Sequence, residues 1–128
     1  MNKVVLIGRI ANEIVLRYTT SGIAVANLVV AVNRPFAKDG EQKADFIPVT
    51  LWQKRAENTA KYLIKGSRVA VDGRIQTSSY DAEDGIKRYR TEVVADNIQF
   101  LDTKKETKEK LQEQYPEEEG YIHDEIPF

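Results

Sequence analysis

The side chains in this sequence that could do chemistry are aromatic and basic, not nucleophilic. Phe46, Pro48, Thr50 and Trp52 alternate with Ile47, Val49 and Leu51 across Asp45–Trp52. Period-two alternation sends the two sets to opposite faces of a strand. The aliphatic set makes a core face. A strand with a complete core side ordinarily shows polar groups on its other side. Here that other side starts with Phe and ends with Trp. Two readings fit: a second layer, either a helix or another subunit, covers the rings, or the rings form a stacking platform. Every nucleobase has a π-face, so such a platform accepts any base order. In proteins that hold single strands, each stacked base contributes about 1–3 kcal/mol.

Cations stand beside the rings. Phe36 lies between Arg34 and Lys38 in the Arg34–Lys43 loop, where it either anchors the loop or offers its ring outward. Lys54 and Arg55 follow Trp52 directly. Arg74 shares a strand face with Tyr80. Lys87, Arg88 and Arg90 surround Tyr89. Taken singly, each is an ordinary solvated charge. Together they are the mixture a groove needs to stack bases and neutralise phosphates at once.

Other chemistry has little to work with. There is no cysteine, which excludes disulfides, zinc–thiolate sites and thiol catalysis. The single histidine, His123, lies near the end of the sequence, away from any core. Asp81, Glu83 and Asp84 crowd one turn, as a metal-dependent nuclease would require, but three acids in a turn are ordinarily solvated. The expectation is a non-enzyme with no metal and no cofactor. A protein-interaction module with its rings covered by a partner is the alternative from another class.

The elements that position these residues are mostly strands. Asn2–Ile10 is apolar and β-branched, and Glu13–Tyr18 continues it after a break at Ala11-Asn12. Ile23–Val32 is apolar almost throughout, as a strand buried on both faces would be. Asp45–Trp52, Arg68–Tyr80 and Ile86–Ala95 complete five, the last two joined by a turn ending in Asp84-Gly85. In Lys54–Ile64 the period changes. Ala56, Ala60, Leu63 and Ile64 share one helical face, and Gly66 follows where a C-terminal cap belongs. Three strands, a short helix and two strands is the order of an OB-fold: a five-stranded Greek-key barrel with its helix between strands 3 and 4. Residues 1–102 form this domain. The apolar run at Met1–Gly8 is too short for a signal peptide and is interrupted by Arg9. No stretch approaches the ~20 apolar residues of a membrane helix. A cytoplasmic address is expected.

The net charge of −1 hides a split. Residues 1–102 carry 15 Lys and Arg against 12 Asp and Glu, whereas residues 103–128 carry 4 against 8. A mildly basic body therefore leads into an acidic tail. Residues 103–123 read as a disordered linker; a short helix at Glu106–Gln114 is the alternative, but it has only Leu111 as an apolar contact. Asp124, Glu125, Ile126, Pro127 and Phe128 differ from a plain solubilising tail, because apolar residues follow two carboxylates. Pro127 restricts the backbone and lowers the ordering cost of binding. Burying Phe128 would contribute about 1.5–3 kcal/mol, enough for modest affinity to a partner.

The chain resembles the bacterial and phage-type single-stranded DNA-binding protein family. The resemblance rests on Asn2–Arg9, Arg17-Tyr18-Thr19, Gly22 with Ala24-Val25-Ala26-Asn27, and Ala44-Asp45-Phe46. It continues through Trp52, Ala56-Glu57, Tyr62-Leu63 with Lys65-Gly66-Ser67, Gly73-Arg74, Tyr80 and Thr91-Glu92-Val93, and returns in the last five residues. It implies a homotetramer of OB-folds that wraps single-stranded DNA at the nucleoid. It assigns base stacking to Phe36, Phe46, Trp52 and Tyr80. It also implies that Asp124–Phe128 recruits replication, recombination and repair proteins. The sequence departs from the family pattern in four places. Phe or Tyr stands where Trp is usual at three stacking positions, Pro48 interrupts a strand, Glu125 replaces a second Asp, and the linker is short. A tail of this length spans about 28 Å r.m.s..

Overall fold

Alternation along the strands closes one apolar core. In the computed structural model, which describes residues 1–114, six strands and two helices run in the order β1 (Val4–Ile10), β2 (Val15–Tyr18), β3 (Ala24–Asn33), β4 (Ala44–Trp52), α1 (Lys54–Tyr62), β5 (Arg68–Asp81), β6 (Lys87–Phe100) and α2 (Lys104–Gln114). The sheet order is β1-β5-β6-β4-β3-β2, and β1 also pairs with β3, which closes the ring. All pairings are antiparallel except β4 with β6, which run parallel through Val49↔Val93 and Thr50↔Val94. Ile10, Leu28, Val30, Val49, Leu51 and Val71 fill the barrel. This is the OB-fold.

The sixth strand comes from the break at Ala11-Asn12. β1 and β2 are halves of one opening strand: β1 lies on β5 and reaches β3 only at Arg9 and Ile10, and β2 takes over β3 from Val15. The residues at the break replace the missing ladder. Ala11 N–H donates to the Val29 carbonyl at 2.7 Å, and Val29 N–H donates to Asn12 Oδ1 at 2.8 Å. Both Val29 groups therefore point away from β4, although Val29 stands opposite Pro48. On that ladder this is a non-hydrogen-bonded pair. The N–H that Pro48 lacks has no partner to lose on β3, and β6 joins β4 only from Val49 onward. Pro48 thus sits at a local edge with no bulge, and the β3–β4 register runs unbroken past it.

α1 closes one end of the barrel. Ala56 and Leu63 belong to the core, and Thr59 is buried beside them. The helix stops at Tyr62 because Leu63 turns to extended backbone, while its N–H still donates to the Thr59 carbonyl. Gly66, at φ 97°, then turns the chain so that its N–H reaches the Ile10 carbonyl at 2.8 Å.

β6 extends to Phe100, beyond the Ala95 limit the sequence suggests. Asp96 makes a bulge: Gly73 faces Ala95, while Asp72 faces Asn97. The extra residue is absorbed, and pairing resumes. The structure also differs from the expectation of disorder after Thr103, since residues 104–114 are helical. Counting only Leu111 as a contact overlooks Thr107, which is buried with its Oγ1 3.2 Å from Ser67 Oγ. Thr107 and Leu111 are the α2 side chains that pack toward Gly66. The rest of the linker and the Asp124–Phe128 tip lie outside the described residues.

Gly73 is fixed by close approach. A Cβ there would fall inside the contact distance of the Val94 carbonyl. Gly73→Ala is expected to destabilise the protein by about 1–3 kcal/mol in urea unfolding. An unchanged midpoint would contradict this packing.

Candidate nucleic-acid interface

Register settles which side chains share the outer face. Residues opposite one another across a sheet point the same way. Phe46 stands opposite Ala31, and Trp52 opposite Val25, which in turn faces Arg17. Thr50 stands opposite Asn27 on one side and beside Val94 on the other, and Val94 faces Arg74. Farther along the β5–β6 hairpin the same face carries Gln76 with Glu92, Ser78 with Arg90, and Tyr80 with Arg88. Phe46, Trp52, Arg74, Tyr80 and Arg88 therefore lie on one continuous surface.

The chain's own atoms leave a face of each ring open to solvent. Phe46 is 54% exposed, Trp52 39%, Tyr80 56% and Phe36 98%. Small or short neighbours such as Ala31 and Val25 leave Phe46 and Trp52 standing clear. At 98% exposure Phe36 anchors nothing. Its φ of 62° also places a bulky residue in the left-handed region, which costs roughly 1–2 kcal/mol. The turn holding it is closed instead by Arg34 N–H donating to the Lys43 carbonyl at 2.8 Å. After Trp52, Gln53 at φ 59° swings the chain from strand into helix, whose first two residues are the exposed Lys54 and Arg55.

A polar strip that sequence reasoning missed separates the rings. Thr50 is buried, donates from Oγ1 to Glu92 Oε2 at 2.6 Å and lies 3.2 Å from Asn27 Oδ1. Arg90 Nη2 is 3.4 Å from the same Glu92 oxygen. The only sequence hint was a hydroxyl residue on a face otherwise formed by Phe, Pro and Trp. Arg17 was likewise absent from the charge argument, because its register against Val25 is invisible until β2 is paired.

Acids orient most of the arginines. Arg34 donates from Nε and Nη2 to Asp45 Oδ1 at 2.9 and 2.7 Å. Arg74 pairs with Asp96, and Arg88 Nη2 lies 2.9 Å from Asp84 Oδ2. Exposed pairs like these add little stability. Their effect is to hold each guanidinium in place with its remaining donors free. Lys54, Arg55 and Arg17 pair with no acid among the described residues. Lys87 is not brought to this surface. It stands opposite Asp81 in the β5–β6 register, and strand alternation puts it with Tyr89 on the reverse of the hairpin. Asp84 also accepts the Ile86 N–H, which makes it a turn-forming group. Among the described residues no three acids or histidines gather to hold a metal.

The hydrogen bond from Arg34 holds the Asp45 carboxyl below the usual carboxylate range and raises Arg34. The pair's support for the folded loop is therefore complete above the ordinary Asp value of 3.8 and is lost as pH falls through the lower folded value. NMR titration of the Asp45 carboxyl should give a midpoint below 3.8. A midpoint at or above it would mean that the pair does not form in solution.

The single-strand binding protein family model matches residues 1–101. Single-stranded DNA-binding protein 3 of Clostridium acetobutylicum is 55% identical over 103 residues, spanning 80% of this chain and 72% of that protein. The single-stranded DNA-binding protein of Clostridium tetani is 54% identical over 103 residues, 80% and 71% of the two chains. That of Oceanobacillus iheyensis is 54% identical over 105 residues, 81% and 65% of the two chains. The exposed rings and oriented cations thus sit on a chain that belongs to the single-strand binding protein family.

Proposed function

We propose that the protein binds single-stranded DNA without regard to base order. The carrying observation is the open row of rings on the outer face of the barrel, flanked by Arg74, Arg88, Lys54 and Arg55. Unpaired bases stack on Phe46, Trp52, Tyr80 and Phe36, and phosphates meet the cations. A duplex keeps its bases stacked inside and offers these rings nothing but backbone. In this role the protein protects single strands during replication, recombination and repair in the cytoplasm, at the nucleoid. Asp124–Phe128 recruits partner proteins, a reading that rests on the sequence pattern alone.

The functional unit is a homotetramer. β1 supports this reading. Its ladder to β5 runs from Val4 to Arg9, but it meets β3 only at Arg9 and Ile10, so much of its second edge is open. Val5 and Ile7 are exposed on it. An apolar open edge is a pairing surface for another chain. Val5→Glu with Ile7→Glu should lower the mass seen in sedimentation, and an unchanged assembly would count against β1 as its seam.

Affinity for a fluorescently labelled oligothymidylate should fall about 5- to 150-fold in Phe46→Ala, a range that comes from single-strand binders of this kind. In the parent protein, log affinity should fall with log salt by about 0.7 per phosphate neutralised. Equal affinity of Phe46→Ala and parent would remove Phe46 from the site.

A further inference from the structure

A second pair of rings lies outside the site just described. Tyr62, at the end of α1, and Phe100, at the end of β6, approach with centroids 6.5 Å apart at 46°. Both are exposed, and they form one wall of an open cleft of about 420 Å³. Lys61, Lys104 and Lys105 line it together with the Leu101–Thr103 segment. Lys61 Nζ stands 5.2 Å from the Tyr62 ring centroid. The one acid in the lining, Asp102, is turned inward. Its carboxylate is 1% exposed, accepts Arg68 N–H at 3.0 Å and faces the Arg68 and Arg9 guanidinium groups. The cleft is therefore lined by three lysines and two rings, with its one carboxylate already compensated.

α2 adds to the positive charge. Lys104 and Lys105 occupy its first turn, where a helix already carries partial positive charge. This placement is unfavourable for the helix itself and favourable only if an anion sits nearby.

The cleft is also continuous with the stacking face. Lys54, Arg55, Asn58, Lys61 and Tyr62 are the exposed positions of α1, at spacings that repeat along one helical side. The helix starts two residues after Trp52 and rises about 13 Å to the cleft. At ~3.4 Å per stacked nucleotide, that is about four nucleotides.

The geometry points to a second subsite for the same single strand: it leaves Trp52, follows the basic side of α1, and places a base on Tyr62 and Phe100 with phosphates on Lys61, Lys104 and Lys105. This inference rests on the single-stranded DNA reading and adds an outlet to its path. It further implies that α2 is part of the DNA surface. Charge alone would equally suit an acidic peptide. The exposed side of α1, with Lys54 and Arg55 at its start, Asn58 between and Lys61 at its end, leads from one ring cluster to the next and favours a polynucleotide.

The test compares the full chain with its Lys104→Glu/Lys105→Glu variant, which suits the start of α2 and should fold. With a short oligothymidylate that fills only the Trp52 face, the two should bind alike. With one several nucleotides longer, the variant should lose affinity severalfold, and its salt slope should fall by about 1.4. Photo-crosslinking of a long iodouracil-substituted strand to the parent protein should give adducts at Tyr62 or Phe100. An unchanged slope on long strands, with adducts confined to β4 and the β5–β6 hairpin, would overturn the subsite while leaving single-strand binding intact. Peptide binding at the cleft that a long strand fails to displace would overturn it in favour of a protein occupant. Failure of the parent to bind any strand would instead sink the underlying function.

Discussion

The structure depends on the two-residue period of β4. One set of its side chains completes the barrel core, and Val49 and Leu51 are buried without remainder. The other set must then face outward. That constraint leaves Phe46 and Trp52 only partly buried, with much of their ring surface open to solvent. A one-residue slip would bury the rings and expose the aliphatics. Register is held by the unbroken pairing with β3 and by Thr50, which ties the strand to Asn27 and Glu92 between the rings. The platform is thus rigid because the core beneath it is full.

The charges obey a complementary logic. Sheet edges and hairpins supply arginines, and nearby acids fix their direction. Arg34 with Asp45, Arg74 with Asp96 and Arg88 with Asp84 are all exposed pairs. Their Coulomb energy is screened by water. They act as orienting devices for donors that remain free. An incoming phosphate is met by guanidinium groups already in position, so less side-chain entropy is lost on binding.

Much of this was legible in the sequence. Alternation in Asp45–Trp52 gave both faces of β4, and the helical spacing of Ala56 and Leu63 placed α1 against the core. What stayed hidden depended on partners distant in the chain. The bulge at Asp96 is visible only against Gly73, and the halves of the opening strand separate only because Ala11 and Asn12 plug β3 at Val29. α2 was missed because its key contact is a threonine, and hydropathy gives Thr107 no weight against Ser67. Lys87 looked equivalent to Arg88, yet one step along a strand reverses the face.

Trp52 is the only tryptophan, so intrinsic fluorescence reports one position on the proposed platform. The most direct test is its emission during titration with oligothymidylate and, separately, with duplex of equal length. Stacking predicts strong, saturable quenching by the single strand and little by the duplex at the same concentration. Equal quenching by both, or a bound single strand that leaves the emission unchanged, would contradict the account.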